Sequence, residues 1–143
     1  MGLALEEAKS AAERGEVPIG AVLVHAPTGE IVARNGNRTL ELKDPSAHAE
    51  MLVIREVCRK EGAQRIPEYD LYVTLEPCAM CAAAISFARI RRVIFGAIDE
   101  KGGGVLHGGK FYEQPTCHHR PVVDYVPVEN CGIILKEFFK SRR

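Results

Sequence analysis

The chain has no excess of either charge: 19 Lys and Arg stand against 19 Asp and Glu, a net charge of zero with His neutral. The support that a strongly basic total would lend to a nucleic-acid partner is therefore missing. A local basic patch stays open, because phosphate attraction depends on where charges sit. No apolar run approaches the roughly 20 residues needed to cross a bilayer. The first residues, Met1-Gly2-Leu3-Ala4-Leu5-Glu6-Glu7, carry acids where a secretory signal needs bases. Cysteine is sparse and odd in number, at 58, 78, 81, 117 and 131, which argues against a disulfide framework. There is no repeat, interdomain linker or low-complexity tract. The expectation is a cytoplasmic protein without a membrane partner, forming a single domain over 1–143 with a core that needs no staples.

Periodicity gives a coarse order of elements. Leu5, Ala8, Ala11 and Ala12 predict a helix over Leu3–Arg14, ended by Gly15. Val17–His25 and Glu30–Asn37 read as two strands joined by the hairpin loop Ala26-Pro27-Thr28-Gly29. Ser46 is a candidate N-cap for a helix over Ala47–Glu61, broken by Gly62. Asp70–Leu75 reads as a strand, Cys78–Arg89 as an Ala-rich helix entered through Pro77, and Arg92–Ile98 as a further strand. Lys101–Gly109, with five glycines, and Gln114–Pro121 read as irregular. Val122–Val126 is a weaker last strand, and Val128–Lys140 a terminal helix. Successive strand–helix units imply parallel pairing and the first hairpin an antiparallel pair, so the sheet is expected to be mixed. Cys58 and Cys131 read as small buried hydrophobes.

The chemistry concentrates in two segments, Ser46-Ala47-His48-Ala49-Glu50 and Glu76-Pro77-Cys78-Ala79-Met80-Cys81. Cys78 and Cys81 are three apart, so on a helix both sulfurs face one ion. Their place in the first turn lets the helix dipole favour ionised thiols. Two thiolates and the His48 imidazole suit Zn²⁺ better than a hard cation, with one ion per subunit. Three protein ligands leave a tetrahedral zinc one position short, where water binds. His48 and Glu50, two apart, share no helix face. They serve one site only if it lies end-on to the helix, so two helix N-termini should point at one zinc. Glu50, not needed as a ligand, is then the catalytic proton shuttle. The bland alternative is a structural zinc closed by Cys58, Cys117, His118 or His119. Cys117, His118 and His119 also resemble a second metal cluster, but adjacent residues rarely face one ion, and a backbone-shaping or phosphate-facing role is the better reading.

The spacing H-x-E…P-C-x-x-C resembles the signature of zinc-dependent nucleobase deaminases. Glu16-Val17-Pro18-Ile19-Gly20-Ala21-Val22-Leu23-Val24, Gly36-Asn37-Arg38, Asp44-Pro45-Ser46-Ala47-His48-Ala49-Glu50, Leu71 to Cys81 and Arg89 to Ala97 narrow the resemblance to the bacterial tRNA-specific adenosine deaminases, a branch of the cytidine deaminase-like superfamily. The resemblance extends over nearly the full sequence. It implies a three-layer α/β/α fold around a five-stranded mixed sheet, a homodimer, and conversion of adenosine to inosine at the wobble position of an arginine tRNA. It carries substrate-binding roles to Asn37, Ala49, Asp99, Lys101, Phe138, Phe139 and Arg142. Asn37 offers both a donor and an acceptor for a base or ribose edge, although an Asn beside Gly36 also suits a turn. An anticodon loop presents splayed bases that a duplex hides. Arg89, Arg91, Arg92, Lys136, Lys140, Arg142 and Arg143 could form a phosphate track, each alternatively a solvated surface charge.

The 101–121 region departs from some members of the family, so its RNA contacts do not transfer. Two rivals stand beside the leading reading. One is a free-base or nucleoside deaminase of the same fold acting on guanine or cytosine; the aromatic–basic tail favours RNA over it. The other is a catalytically silent zinc-containing RNA-binding protein; the unliganded Glu50 argues against it.

Overall fold

The computed structural model describes residues 1–142. Helix α1 (Gly2–Glu13) leads into the hairpin β1 (Gly20–His25) and β2 (Glu30–Gly36). Then come α2 (Ala49–Glu61), β3 (Tyr69–Val73), α3 (Ala79–Phe87), β4 (Arg92–Phe95), a short 3₁₀ turn at Phe111–Glu113, β5 (Val122–Tyr125) and α4 (Glu129–Ser141). The strands form one mixed sheet in the order β2-β1-β3-β4-β5. β1 runs antiparallel to β2 and β3, while β3, β4 and β5 are parallel. The architecture is the expected three-layer arrangement with five strands.

Alternation along the strands divides the two faces. Leu23, Leu71, Val73, Val93 and Phe95 are fully buried with Val53 and Val57 of α2 and Ala82 and Ile85 of α3. At about 25 cal/mol per Å² of apolar surface removed from water, these side chains dominate the stability of that layer. The opposite face meets α1, whose Ala4, Ala8 and Ala11 are fully buried at helical spacing. Their small side chains bring the helix close to β1 and β2. α4 packs beside α1, and Cys131, its one buried residue, faces Gly96 at the end of β4. Among the described residues no helix is long and apolar enough to cross a membrane.

Several boundaries move inward from the sequence reading. α2 begins at Ala49 rather than Ala47, and Ser46 is not its N-cap. The Ser46 backbone N–H and hydroxyl both donate to Asp44 Oδ1, at 2.8 and 2.7 Å. That local turn captures the serine before the helix starts. Cys58 is only partly buried, at the edge of the core. The region expected to be irregular contains the Phe111–Glu113 turn, whose Tyr112 is buried and donates its hydroxyl proton to Ala82 O at 2.9 Å.

β3 and β4 are parallel, so their carboxyl ends reach the same edge of the sheet. The segments 74–78 and 96–107 leave from that edge side by side, joined by the Glu76 N–H to Ala97 O bond at 2.8 Å. Such an edge is where open α/β sheets bind ligands.

Candidate metal centre and catalytic site

Two helix starts build the centre. His48 is the N-cap of α2 and Cys78 the N-cap of α3, both with extended backbone, and neither uses its own side-chain atoms to cap its helix. Cys81 follows in the first turn of α3, fully buried. The imidazole and the sulfurs are thereby released toward each other. His48 Nδ1 lies 3.7 Å from Cys78 Sγ and 3.5 Å from Cys81 Sγ. The three donor atoms all fall within 4.8 Å of one another. This is the end-on geometry anticipated from the His-x-Glu spacing.

A ligand at the N-cap position leaves α2 without a cap of its own, and Asn37 takes over. Its Oδ1 accepts the Ala49 N–H at 2.9 Å. Asn37 is buried, and its backbone carbonyl oxygen accepts a hydrogen bond from Arg14 Nη2 at 3.0 Å. Ala49 is fully buried, with its N–H spent on Asn37.

Glu50, at the second position of α2, is 4 % exposed, and its Oε1 has no hydrogen-bond partner. Burial is the main cause that pushes its carboxyl up to about 7, against the pull of its own N–H and of His48. A buried acid poised near neutrality is suited to take and return a proton. Cys78 is held down to about 4, chiefly by its hydrogen bond to Cys81, whose thiol is pushed up in turn. Its bond to Cys78 also raises His48. A divalent ion bound here would favour both sulfurs as thiolates. One imidazole and two sulfurs at these separations fit zinc, and Glu50 stays outside the donor group.

The fourth ligands considered from sequence do not join the donor group, and Cys117 and His119 are engaged elsewhere. Among the described residues, His48, Cys78 and Cys81 form the only metal-capable group of three. Cys117 Sγ lies against Ser86 Oγ at 3.6 Å and His119 O at 3.1 Å. His119 Nε2 donates to Ile90 O at 2.7 Å. Through Cys117 and His119 these contacts fasten the 114–121 segment to the end of α3, while His118 is exposed.

The remaining candidates lie farther out. Asp99 Oδ1 accepts the N–H groups of Lys101 and Gly102 at 3.2 and 2.9 Å. Asp99 and Lys101 line an open groove of about 720 Å³ shared with Tyr125 and Lys136. None of His48, Glu50, Cys78 or Cys81 lines it. At the end of α4, the Arg142 guanidinium lies 4.1 Å over the Phe138 ring, and Phe139 is half exposed. Arg142 also approaches Gly15, placing the end of α4 beside the end of α1, from which Arg14 reaches Asn37. The suggested phosphate track is interrupted. Arg91 is paired with Asp70 at 2.9 and 2.7 Å, Arg92 with Asp124, and Arg89 Nη1 donates to Ser86 O at 3.0 Å. Arg143 lies outside the described residues.

Sequence reasoning missed two buried carboxylates that order the loops around the centre. Glu16 accepts the Leu40 and Glu41 N–H groups at 3.1 and 2.9 Å and fixes the segment before His48. Glu76 accepts those of Asp99, Val105, Leu106 and His107. Glu76 stands beside Pro77 and Cys78 in the sequence, but the adjacency carries no signal of the distant N–H groups it meets.

Fold and donor set together define a zinc-dependent deaminase domain: the family model for the cytidine and deoxycytidylate deaminase zinc-binding region matches residues 1–97. Within that class, the protein is 58% identical over 144 aligned residues to a tRNA-specific adenosine deaminase of Agrobacterium fabrum (strain C58), covering 100% of this chain and 93% of the relative. A solved structure from studies of A-to-I editing by tRNA:A34 deaminases at the wobble position of transfer RNA superposes with a TM-score of 0.85 at 63% identity, covering 88% of this chain and 95% of that one. The chain belongs to the tRNA-specific adenosine deaminase family. A guanine deaminase from Bacillus subtilis shares the fold at 29% identity and a TM-score of 0.66, over 97% of this chain and 88% of that one.

Proposed function

We propose that this protein hydrolyses adenosine to inosine at position 34 of a tRNA, with an arginine tRNA as the expected substrate. It acts in the cytoplasm as a homodimer, with residues 1–143 as a single deaminase domain and one zinc per subunit. The observation that carries the reading is Glu50: a buried carboxylate with an unpartnered oxygen beside a three-donor metal site. A structural zinc needs no such group, and burying it costs stability.

Bound at His48, Cys78 and Cys81, zinc supplies a Lewis acid that lowers the pKa of water toward about 7. Glu50 takes a proton from the attacking water, delivers it to the purine ring nitrogen beside the attacked carbon, and assists protonation of the departing amine. Adenosine and water become inosine and ammonia. Asn37, held by Ala49 and Arg14, presents its side-chain NH₂ to the nucleoside. Phe138, Phe139 and Arg142 offer aromatic and cationic surface for single-stranded bases and phosphates. The homodimer is supported by α3, which is rich in Ala and leaves Met80 and Phe87 exposed.

The test is incubation of zinc-loaded protein with an anticodon stem-loop carrying adenosine at position 34, in parallel with guanine, cytidine and free adenosine. Inosine formed in the RNA alone is expected. Ammonia released from guanine alone overturns the proposal in favour of the base deaminases. Glu50→Ala should keep its zinc and lose about 10²- to 10⁴-fold in turnover; near-full activity removes Glu50 from the mechanism.

A further inference from the structure

Glu76 has a fully buried side chain, yet it is the most heavily hydrogen-bonded acid near the centre. Oε1 accepts the Asp99 N–H at 3.0 Å and meets His107 Nδ1 at 2.8 Å. Oε2 accepts the N–H groups of Val105, Leu106 and His107 at 3.2, 2.8 and 3.1 Å. The loop between them is moulded onto the turn that carries the first sulfur. Gly104 N–H donates to Pro77 O at 2.8 Å. A Cβ on Gly104 would stand 2.6 Å from Ala79 N, and one on Gly103 would collide with the Glu76 carboxylate. A glycine-rich loop of this kind invites reading as a phosphate cradle, since consecutive N–H groups form anion-binding concavities. Here the N–H groups of 105–107 are already spent on an internal anion, one residue before Pro77 and two before Cys78.

We infer that Glu76 is a positioning residue: its buried carboxylate locks residues 99–107 against the metal-ligand turn and so sets the affinity for the RNA of the groove that Asp99 and Lys101 line. The loop carries Asp99 and Lys101, and both are fixed through it, because the Asp99 N–H is one of the groups Glu76 holds and Asp99 Oδ1 in turn accepts the Lys101 N–H. The identity of the substrate rests on the function proposed above; the locking of the loop does not.

Glu76→Gln is the informative change. It keeps the shape but turns one acceptor oxygen into a donor. Depending on how the amide is oriented, either the Asp99 N–H or the N–H groups of Val105, Leu106 and His107 then face an NH₂ group. Two readouts on the zinc-loaded protein separate positioning from mere stability. In steady-state kinetics on the anticodon stem-loop, KM should rise about tenfold or more while kcat stays within about threefold and zinc content is unchanged. In hydrogen exchange, the Asp99 amide or the 105–107 amides, whichever face the NH₂, should lose about 100-fold in protection while those of α2 keep theirs. His107→Ala removes one donor and spares the carboxylate, so it should shift KM in the same direction by about threefold; it also serves if the glutamine variant does not fold. An unchanged KM with kcat falling in step with the folded fraction overturns the inference, as does unchanged exchange at both Asp99 and 105–107. If the wild-type protein fails to deaminate RNA, the substrate assignment falls, and the exchange result still decides the role of Glu76.

Discussion

Removing the charge of Glu50 should make the metal-free protein more stable above about pH 7, even as it slows the zinc-loaded protein. The carboxyl has a folded pKa of about 7 against 4.5 for the ordinary group, and burial is the main cause. The sign follows from proton linkage. An acid whose folded pKa stands above its unfolded value leaves stability intact below about pH 4.5, and stability is lost as pH rises through about 7. A displacement of that size, at 1.36 kcal/mol per pKa unit, amounts to roughly 3 kcal/mol once the group is fully ionised. Between pH 5 and pH 8 the loss is roughly 2–3 kcal/mol, since part of it has already occurred at pH 5. Glu50→Gln is neutral and of the same shape, and should not show this loss. The assay is urea unfolding of chelated wild-type and Glu50→Gln protein at four pH values from 5 to 8. The difference in unfolding free energy should grow with pH in favour of the variant. With zinc restored, the cation stabilises the carboxylate and the growth should shrink. A gap that stays constant from pH 5 to pH 8 would show that burial does not hold the Glu50 proton and would refute the reasoning.

Two further outcomes follow from close contacts and committed charges. Gly104→Ala drives a methyl group into the Ala79 backbone, with 2.6 Å to the nitrogen and 2.9 Å to the Cys78 carbonyl carbon, where nothing flexible is present to yield. A loss of roughly 1–3 kcal/mol in urea unfolding, with weaker zinc retention against a chelator, is expected; wild-type stability and retention would contradict the close packing of this loop. Arg91→Ala removes a partner of Asp70 from a pair whose arginine is half exposed. It leaves the Asp70 carboxylate, 11 % exposed, without the partner that holds both of its oxygens, so it should cost roughly 1–3 kcal/mol in urea unfolding and leave KM for the stem-loop unchanged. A large rise in KM there would restore Arg91 to the RNA-binding surface.

The order of elements and the metal donors were legible in the sequence because each has a local signature. Period-2 and period-3.6 patterns mark the hairpin and helices, and the spacings 48–50 and 78–81 hold the ligands to two helix starts. Errors fall where a local competitor or a distant partner decides. Ser46 has the composition of an N-cap, but Asp44, two residues back, captures it. The helix is capped instead by Asn37, twelve residues before Ala49, and no window of sequence reveals that bond. Arg91 and Arg92 look like free cations until the pairing of β3, β4 and β5 sets Asp70 and Asp124 beside them. Lys101–Gly109 does read as irregular, yet much of its order comes from Glu76, a carboxylate some thirty residues back on the metal-ligand turn.

Three buried glutamates around this centre show why residue type alone could not assign roles. All three are at most 4 % exposed, so burial works against the charge of each. For Glu16 and Glu76 that effect is outweighed by donated hydrogen bonds, chiefly from Glu41 and Leu40 to the first and from Asp99 and His107 to the second, and both carboxyls are held below the ordinary range. Glu50 keeps one oxygen without a donor, burial wins, and its carboxyl rises toward neutrality. The saturated pair cannot exchange a proton cheaply and serves to hold loops in place; the unsaturated one keeps an oxygen free and can move a proton. Supplying a donor to Glu50 Oε1 would therefore draw its carboxyl toward the behaviour of the other two, at the expense of turnover.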